Sequence, residues 1–340
     1  MTTNLLTNQR PRNASIDILK FIAAILITNS HMDMLYVAPF EQLATGGSIG
    51  NGLFFFCSGF TLFLGRLGRF DNWYKRRINR IYPTVFAWAI LSAAIFSSER
   101  NMVDVLLHGG GWFVSCIMIY YVVLYFVRRF AINKLPLVFV LSAVVVIAVY
   151  AYYVISGNFL NGNGSFDQAK WITGETYFKW VYNFLFMLMG AMLGISKKRW
   201  NYKLLPDLIK LGICVMLFYV PLFLGKKIEI VSNFQVISLI PLIGIMFYFY
   251  KICNSNLLTQ IYNNKYSGAV IKTIGGLCLE IYLVQPVLFT DKMNRIFPVN
   301  ILIIFTIILV SAYILRCVSR IFAQTFKEGD YDWKEVVKVY

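Results

Sequence analysis

Apolar residues in this chain run in blocks of about 18 to 22, and a block of that length crosses a hydrocarbon core of ~30 Å when it coils as an α-helix rising about 1.5 Å per residue. Ten such blocks can be read, at 15–38, 46–65, 81–98, 112–130, 135–155, 176–196, 205–224, 230–250, 273–290 and 296–317. Only 14% of the chain is charged and 58% is hydrophobic, whereas a soluble domain carries about a quarter charged residues. Many of the 21 Tyr and 29 Phe fall near the block ends, where aromatic rings favour the headgroup layer. The expected fold class is therefore all-α, a polytopic membrane helical bundle of about ten transmembrane helices. Residues 1–11 are polar without a signal-peptide layout, so the first block is expected to stay in the protein as a helix.

The charge pattern sets an orientation. The formal net charge is +16, which in a soluble protein would suggest nucleic acid, but these cations sit in the short stretches between apolar blocks. With the N-terminus in the cytoplasm, 23 Lys and Arg fall on the cytoplasmic side, 6 on the outer side and 3 inside spans. That asymmetry is the one membrane insertion imposes. It predicts both termini in the cytoplasm, a lipid bilayer as partner and no nucleic acid. One membrane domain at 15–320 is expected, with short tails at 1–14 and 321–340. Two loops are long: a basic cytoplasmic one at 66–80 and an outer one, rich in Gly and Asn, at 156–175. No repeat of 20 to 50 residues and no pair of matching halves is visible. The six cysteines lie in or at the edge of apolar blocks with no CxxC pair, and they read as packing residues with no disulfide or metal framework.

Ionisable residues inside apolar runs are costly unless they face a polar interior. The first block holds three: Asp17, Lys20 and His31. Lys20 and His31 are eleven residues apart, three helical turns plus about 20°, so they share a face with roughly 16 Å between them along the axis. Lys20 can also snorkel to the inner interface. His31 can serve as a general base near neutral pH or make a structural hydrogen bond. The other histidine, His108, lies in a loop before Gly109-Gly110-Gly111-Trp112, and two histidines do not build a His-rich metal site. A second group is Arg76-Arg77-Ile78-Asn79-Arg80-Ile81-Tyr82-Pro83. Arg77 and Arg80 share a helix face and can clamp phosphates from the cytoplasm or simply anchor the helix. A third is Glu280-Ile281-Tyr282-Leu283-Val284-Gln285-Pro286. Glu280 is expected at mid-span, orienting an imidazole or paired with Lys20 or an arginine, and Pro286 is expected to kink the helix one turn earlier.

Taken in order, these elements resemble the acyltransferase-3 family of membrane O-acyltransferases. The shared features are a basic residue and a histidine in the first span (Lys20, His31), an FF-x-x-SGF element (Phe54-Phe55-Phe56-Cys57-Ser58-Gly59-Phe60), and an arginine pair leading into RIYP (Arg77, Arg80 to Pro83). Trp112-Phe113 at the fourth span and the EIYL stretch from Glu280 complete them. Two positions depart from the family pattern: Gly52 stands where many members have an acidic residue, and Gln285 where many have a histidine. The resemblance covers nearly the whole chain. It implies transfer of an acyl group, most often acetyl, from cytoplasmic acyl-CoA to a hydroxyl of a cell-surface or lipid-linked glycan, in a multi-pass protein of the cell (inner) membrane. His31 and Glu280 are then the expected catalytic residues, and Lys20, Arg77 and Arg80 the acyl-CoA-binding ones. Asp17, Ser58, Trp112, Tyr282 and Gln285 give support, and Asn29, Ser30 and Ser58 are candidate oxyanion donors. Acetyl-CoA is expected as donor substrate, with no bound cofactor and no metal. A proton-coupled transporter or lipid-linked-sugar flippase, with His31 and Glu280 as relay, is the competing class.

Overall fold

The computed structural model describes residues 12–96, 102–156, 178–196, 198, 200–225 and 227–339. Among these no strand occurs, and they form fifteen α-helices besides short 3₁₀ turns. The first eight are α1 (Ala14–Ser30), α2 (Gly47–Leu64), α3 (Phe70–Phe96), α4 (Met102–His108), α5 (Gly111–Phe130), α6 (Leu135–Ser156), α7 (Phe178–Ile195) and α8 (Leu204–Gly225). The others are α9 (Glu229–Ser232), α10 (Leu239–Cys253), α11 (Asn256–Asn263), α12 (Lys265–Gly276), α13 (Cys278–Val284), α14 (Val299–Thr325) and α15 (Trp333–Val337). The protein is a polytopic all-α membrane bundle. Eight helices, α2, α3, α5, α6, α7, α8, α10 and α14, are each long and apolar enough to cross a membrane, and α12 with α13 makes a ninth, bent pass. The first helix has 17 residues, about 25 Å of axis, which is marginal for a span.

Local chemistry sets the helix ends. Asn13 caps α1, its Oδ1 accepting from the Ser15 and Ile16 amides at 3.1 and 3.4 Å, and Asp17 in the first turn favours the positive end of the helix dipole. The opposite end comes earlier than the apolar block suggests, at Ser30 rather than near 38. Asn29 donates from Nδ2 to the carbonyls of Leu43 (2.7 Å) and Thr45 (3.0 Å) and accepts from the Tyr36 hydroxyl at 2.6 Å. The returning segment is thereby stitched to the last turn, and the chain leaves the helix through short 3₁₀ turns at Asp33–Leu35 and Glu41–Leu43.

Two further expectations are corrected. The basic stretch at 66–80 is not a loop: α3 begins at Phe70, because Trp73 is fully buried against Tyr121 and Tyr125, and Phe70 packs on Tyr125. Arg77 and Arg80 therefore stand two to three turns inside a helix, not at its start. The ninth pass breaks at Leu277, bending by 58°, with Pro286 beyond the break in a 3₁₀ turn, Gln285–Val287. Gly275 and Gly276 precede the break, and a Cβ on Gly275 would stand 2.9 Å from the Asp17 carbonyl oxygen, so α12 presses on α1 where only glycine fits. The outer loop expected at 156–175 lies outside the described residues except for its first position.

The layout follows from which faces are apolar. α6 is outermost and turns Leu137, Val140, Leu141, Val144, Val145 and Ile147 outward, a face that suits lipid and not water. Inside, α2 and α7 form the tightest pair: a Cβ on Gly59 would overlap the Met187 carbonyl, and one on Gly190 the Phe56 carbonyl. Such close backbone approach substitutes for the hydrophobic drive that lipid withholds. α1 lies against α2, α10, α12 and α13, so the helix with the ionisable residues is central. After Thr325 the chain folds back as α15. Arg320 donates from Nη1 to the carbonyls of Glu335 (2.9 Å), Val336 (3.2 Å) and Lys338, and Tyr313 donates to Val337 O at 2.7 Å.

Candidate functional site

One face of α1, Asn13, Ile16, Asp17, Lys20, Ala24, Ile27 and Thr28, lines a cavity of about 850 Å³. The spacings of three and four are those of a single helical stripe. From Asn13 to Thr28 the stripe covers about 22 Å of helix axis, most of a membrane's apolar thickness. The other walls come from α2, α3, α5, α12, α13 with the 3₁₀ turn after it, α14 and α15.

The cavity is polarised along its length. Seven cationic side chains line it (Arg12, Lys20, Arg77, Arg80, Lys272, Arg316 and Arg320) against three carboxylates, Asp17, Glu280 and Glu335. These charges belong to the end nearer the N-terminus of α1. Thr28 shares the wall with the neutral Asn51, Phe54, Phe113, Tyr282 and Gln285; Gly50, beside Asn51, faces Ile27, and the Phe54, Phe113 and Tyr282 rings follow one another in contact. Such a chamber can hold a polyanion at one end and a neutral reacting group at the other.

Most residues singled out in the sequence meet here. Lys20 is half-buried in the wall. Asp17 accepts from the Tyr262 hydroxyl at 2.8 Å, and burial, with the carboxylate beside it, holds the Tyr262 phenol above its usual pKa. The Arg77 guanidinium lies 5.2 Å from the Trp73 ring centre and 5.9 Å from that of Tyr121. Its buried Nε has no hydrogen-bond partner among the described residues. Arg80 is exposed to the cavity, and Ser58, Tyr282 and Gln285 belong to the wall. The Tyr282 hydroxyl lies against Gly111, which adopts φ +63.

Other residues stand elsewhere. Trp112 is not in the wall; it packs on Phe55 and Phe113 and carries the Lys179 ammonium 4.3 Å from its ring centre. His31 is not inside the first helix. It is the C-cap of α1, exposed and one turn beyond Thr28, because the Asn29 stitch ends the helix first. Asn29 is committed to that stitch, and Ser30 Oγ donates to Ile27 O at 2.8 Å, so neither is a free oxyanion donor. Of the partners weighed for Glu280, the structure selects an arginine. Arg316 donates from Nε to Oε1 at 3.0 Å and from Nη2 to Oε2 at 2.9 Å, and Nη2 also reaches the Gly276 carbonyl at the break.

Arg316 escaped the sequence reading, where it counted only among the cytoplasmic cations. The available signal was Arg316 and Arg320 four apart, on one face of a helix that runs on to Thr325. Thr28 carried no signal. Among the described residues no three His, Cys, Asp or Glu side chains gather to hold a metal ion.

The family model described as an acyltransferase domain, the acyltransferase-3 model, matches residues 13–318. That interval takes in α1 to α13, most of α14 and nearly all of the cavity wall. No curated protein and no solved structure matches the chain.

Proposed function

The chain belongs to the acyltransferase-3 family and so is a multi-pass membrane acyltransferase; from that premise we propose that it moves an acetyl or similar acyl group from cytoplasmic acyl-CoA to a hydroxyl of a cell-surface or lipid-linked glycan, in the cell (inner) membrane. The observation that carries this reading is the lengthwise polarity of the cavity, cationic near the chain termini and neutral around Thr28.

The termini lie on the side richer in Lys and Arg, which membrane insertion leaves in the cytoplasm. There Arg77, Arg80 and Lys20 hold the phosphates of the donor. Arg77 is the strongest candidate, since its unpaired Nε and its stacking on Trp73 and Tyr121 leave a pre-oriented fork. Lys20 to Thr28 is about 12 Å along α1, a distance over which an extended thioester arm can pass between Ala24, Ile27 and Phe113. The acyl group then meets an acceptor hydroxyl arriving from the far side. The hydroxyl oxygen attacks the thioester carbonyl carbon, the carbon–sulfur bond breaks, and the hydroxyl proton passes through a base to the leaving thiolate. His31, exposed at the acceptor end, is that base. Glu280, held by Arg316, positions α13, and with it Tyr282 and Gln285. The transport alternative drew on the same buried charges, and the family match favours the enzyme.

The test is twofold. Purified protein should bind acetyl-CoA, and cells lacking the protein should lose an acetyl increment from surface glycans by mass spectrometry. Absence of acetyl-CoA binding would reject the donor, and an unchanged glycan profile the acceptor.

A further inference from the structure

Two buried polar atoms in the neutral part of the wall have nothing to bond to. Thr28 and Gln285 are each 1% exposed, and neither Thr28 Oγ1 nor Gln285 Oε1 has a hydrogen-bond partner among the described residues. Leaving such an atom unpaired is unfavourable, so buried polar groups as a rule have partners. For Thr28 the omission is specific. A helical threonine has an easy solution, bonding back to the carbonyl four residues earlier. Thr61, Thr259, Thr306 and Thr325 all take it, at 3.0, 3.0, 2.8 and 3.1 Å. Thr28 does not. Both atoms belong to residues that line the same cavity, one on α1 and one in the 3₁₀ turn that follows α13, and α13 itself packs on α1.

We propose that Thr28 and Gln285 form the polar subsite for the reacting centre: the Thr28 hydroxyl donates to the thioester carbonyl oxygen of the donor, and Gln285 Oε1 accepts from an acceptor hydroxyl next to the reacting one, whose own proton is left to His31. This inference rests on the acyl-transfer function proposed above. As the acceptor oxygen bonds to the acyl carbon, the carbonyl oxygen takes up negative charge, then returns its electron pair as the thiolate departs with the carbon–sulfur electrons. A donor fixed beside that oxygen in a water-poor wall is stronger in the transition state than in the ground state. Gln285 Oε1, by holding that neighbour, fixes the line of approach of the reacting hydroxyl. Neither residue touches the cationic end, so the two functions, holding the donor's phosphates and activating its thioester, are separable by mutation.

The experiment compares acetyl-CoA with free CoA as calorimetric probes on the purified full-length protein. Wild type should bind acetyl-CoA about fivefold more tightly than CoA, the effect of one net hydrogen bond. Thr28→Val, nearly isosteric, should bring that ratio close to one while leaving CoA affinity unchanged, and Thr28→Ser should keep it. A merely structural Thr28 predicts otherwise: removing an unpaired buried hydroxyl should leave both ratio and rate alone and raise the unfolding temperature. Gln285→Met should retain the acetyl-CoA preference yet abolish acetylation of surface glycans in cells. The subsite is overturned if Thr28→Val keeps the wild-type ratio, if wild type shows no preference, or if Gln285→Met acetylates normally. Failure of wild type to bind either probe is a different result, since it rejects the acyl-CoA donor itself and this subsite with it.

Discussion

Arg316 offers the sharpest quantitative test of how the cavity is held together. Its guanidinium makes a fork on Glu280 and a third bond to the Gly276 carbonyl, and the two side chains are only 15% and 6% exposed. Replacing Arg316 by Met leaves a buried carboxylate without its counter-charge and the carbonyl at the break without its donor. Breaking one side of a buried pair typically costs about 3–5 kcal/mol, and the upper half of that range is expected here because three bonds are lost together. Arg316→Lys keeps the charge, but a point ammonium does not span both carboxylate oxygens and the carbonyl. The loss of one or two charge-assisted bonds should cost about 2–3 kcal/mol. Replacing the pair together, Glu280→Leu with Arg316→Met, removes both charges and should return stability to within about 1 kcal/mol of wild type. The assay is a double-mutant cycle on detergent-solubilised protein, by reversible denaturant titration where the transition permits and otherwise by unfolding temperature. A coupling term of several kcal/mol is expected. Single variants within about 0.5 kcal/mol of wild type, or a double variant as unstable as the sum of the singles, would refute the account. The stable double variant should still transfer acyl groups poorly, because nothing then fixes the 58° bend that presents Tyr282 and Gln285.

Three other outcomes are expected. His31→Ala should preserve the unfolding temperature, since the residue is exposed at a helix C-cap, while lowering acyl transfer at least ~10²-fold; retained transfer would remove it as the base. Arg80→Lys should raise the apparent KM for acyl-CoA with little effect on the acceptor's KM, and the Arg77→Ala/Arg80→Ala double variant should bind acyl-CoA far more weakly. Unchanged binding by correctly inserted double variant would reduce both arginines to anchors. In a background stripped of native cysteines, a cysteine at Lys334 should be shielded from an impermeant thiol reagent in intact cells and one at Lys292 should react. The reverse pattern would invert the protein in the membrane.

What the sequence made legible is what depends on residues close together in it. Apolar length gave the passes, and cationic spacing gave Lys20, Arg77 and Arg80, all three found in one wall. What stayed hidden depends on partners far along the chain. The end of α1 is decided by carbonyls at Leu43 and Thr45, 14 and 16 residues beyond Asn29, and no count of apolar residues carries that information. It moved His31 out of the helix. The basic stretch before Arg77 looked like loop because charge was weighed over the aromatic stripe of Phe70, Trp73 and Tyr74, which buries itself against α5 whatever the arginines do. The partner of Glu280 lies 36 residues away.

The break in the ninth pass shows why such partners matter to chemistry. Pro286 seemed the obvious breaker, yet the helix bends at Leu277, two residues past Gly275 and nine before the proline. Gly275 lets α12 touch α1 at Asp17 and Lys20, and Arg316 then holds the Gly276 carbonyl and Glu280 on either side of the bend. A straight helix through this point would stay against α1 along its whole length and close the gap that the stripe from Lys20 to Thr28 now lines. The bend turns α13 off that path while Gln285 still lines the cavity. A buried ion pair is a weak source of net stability, so its value here lies in geometry: it fixes one of two ways the pass could run, the one that leaves a chamber.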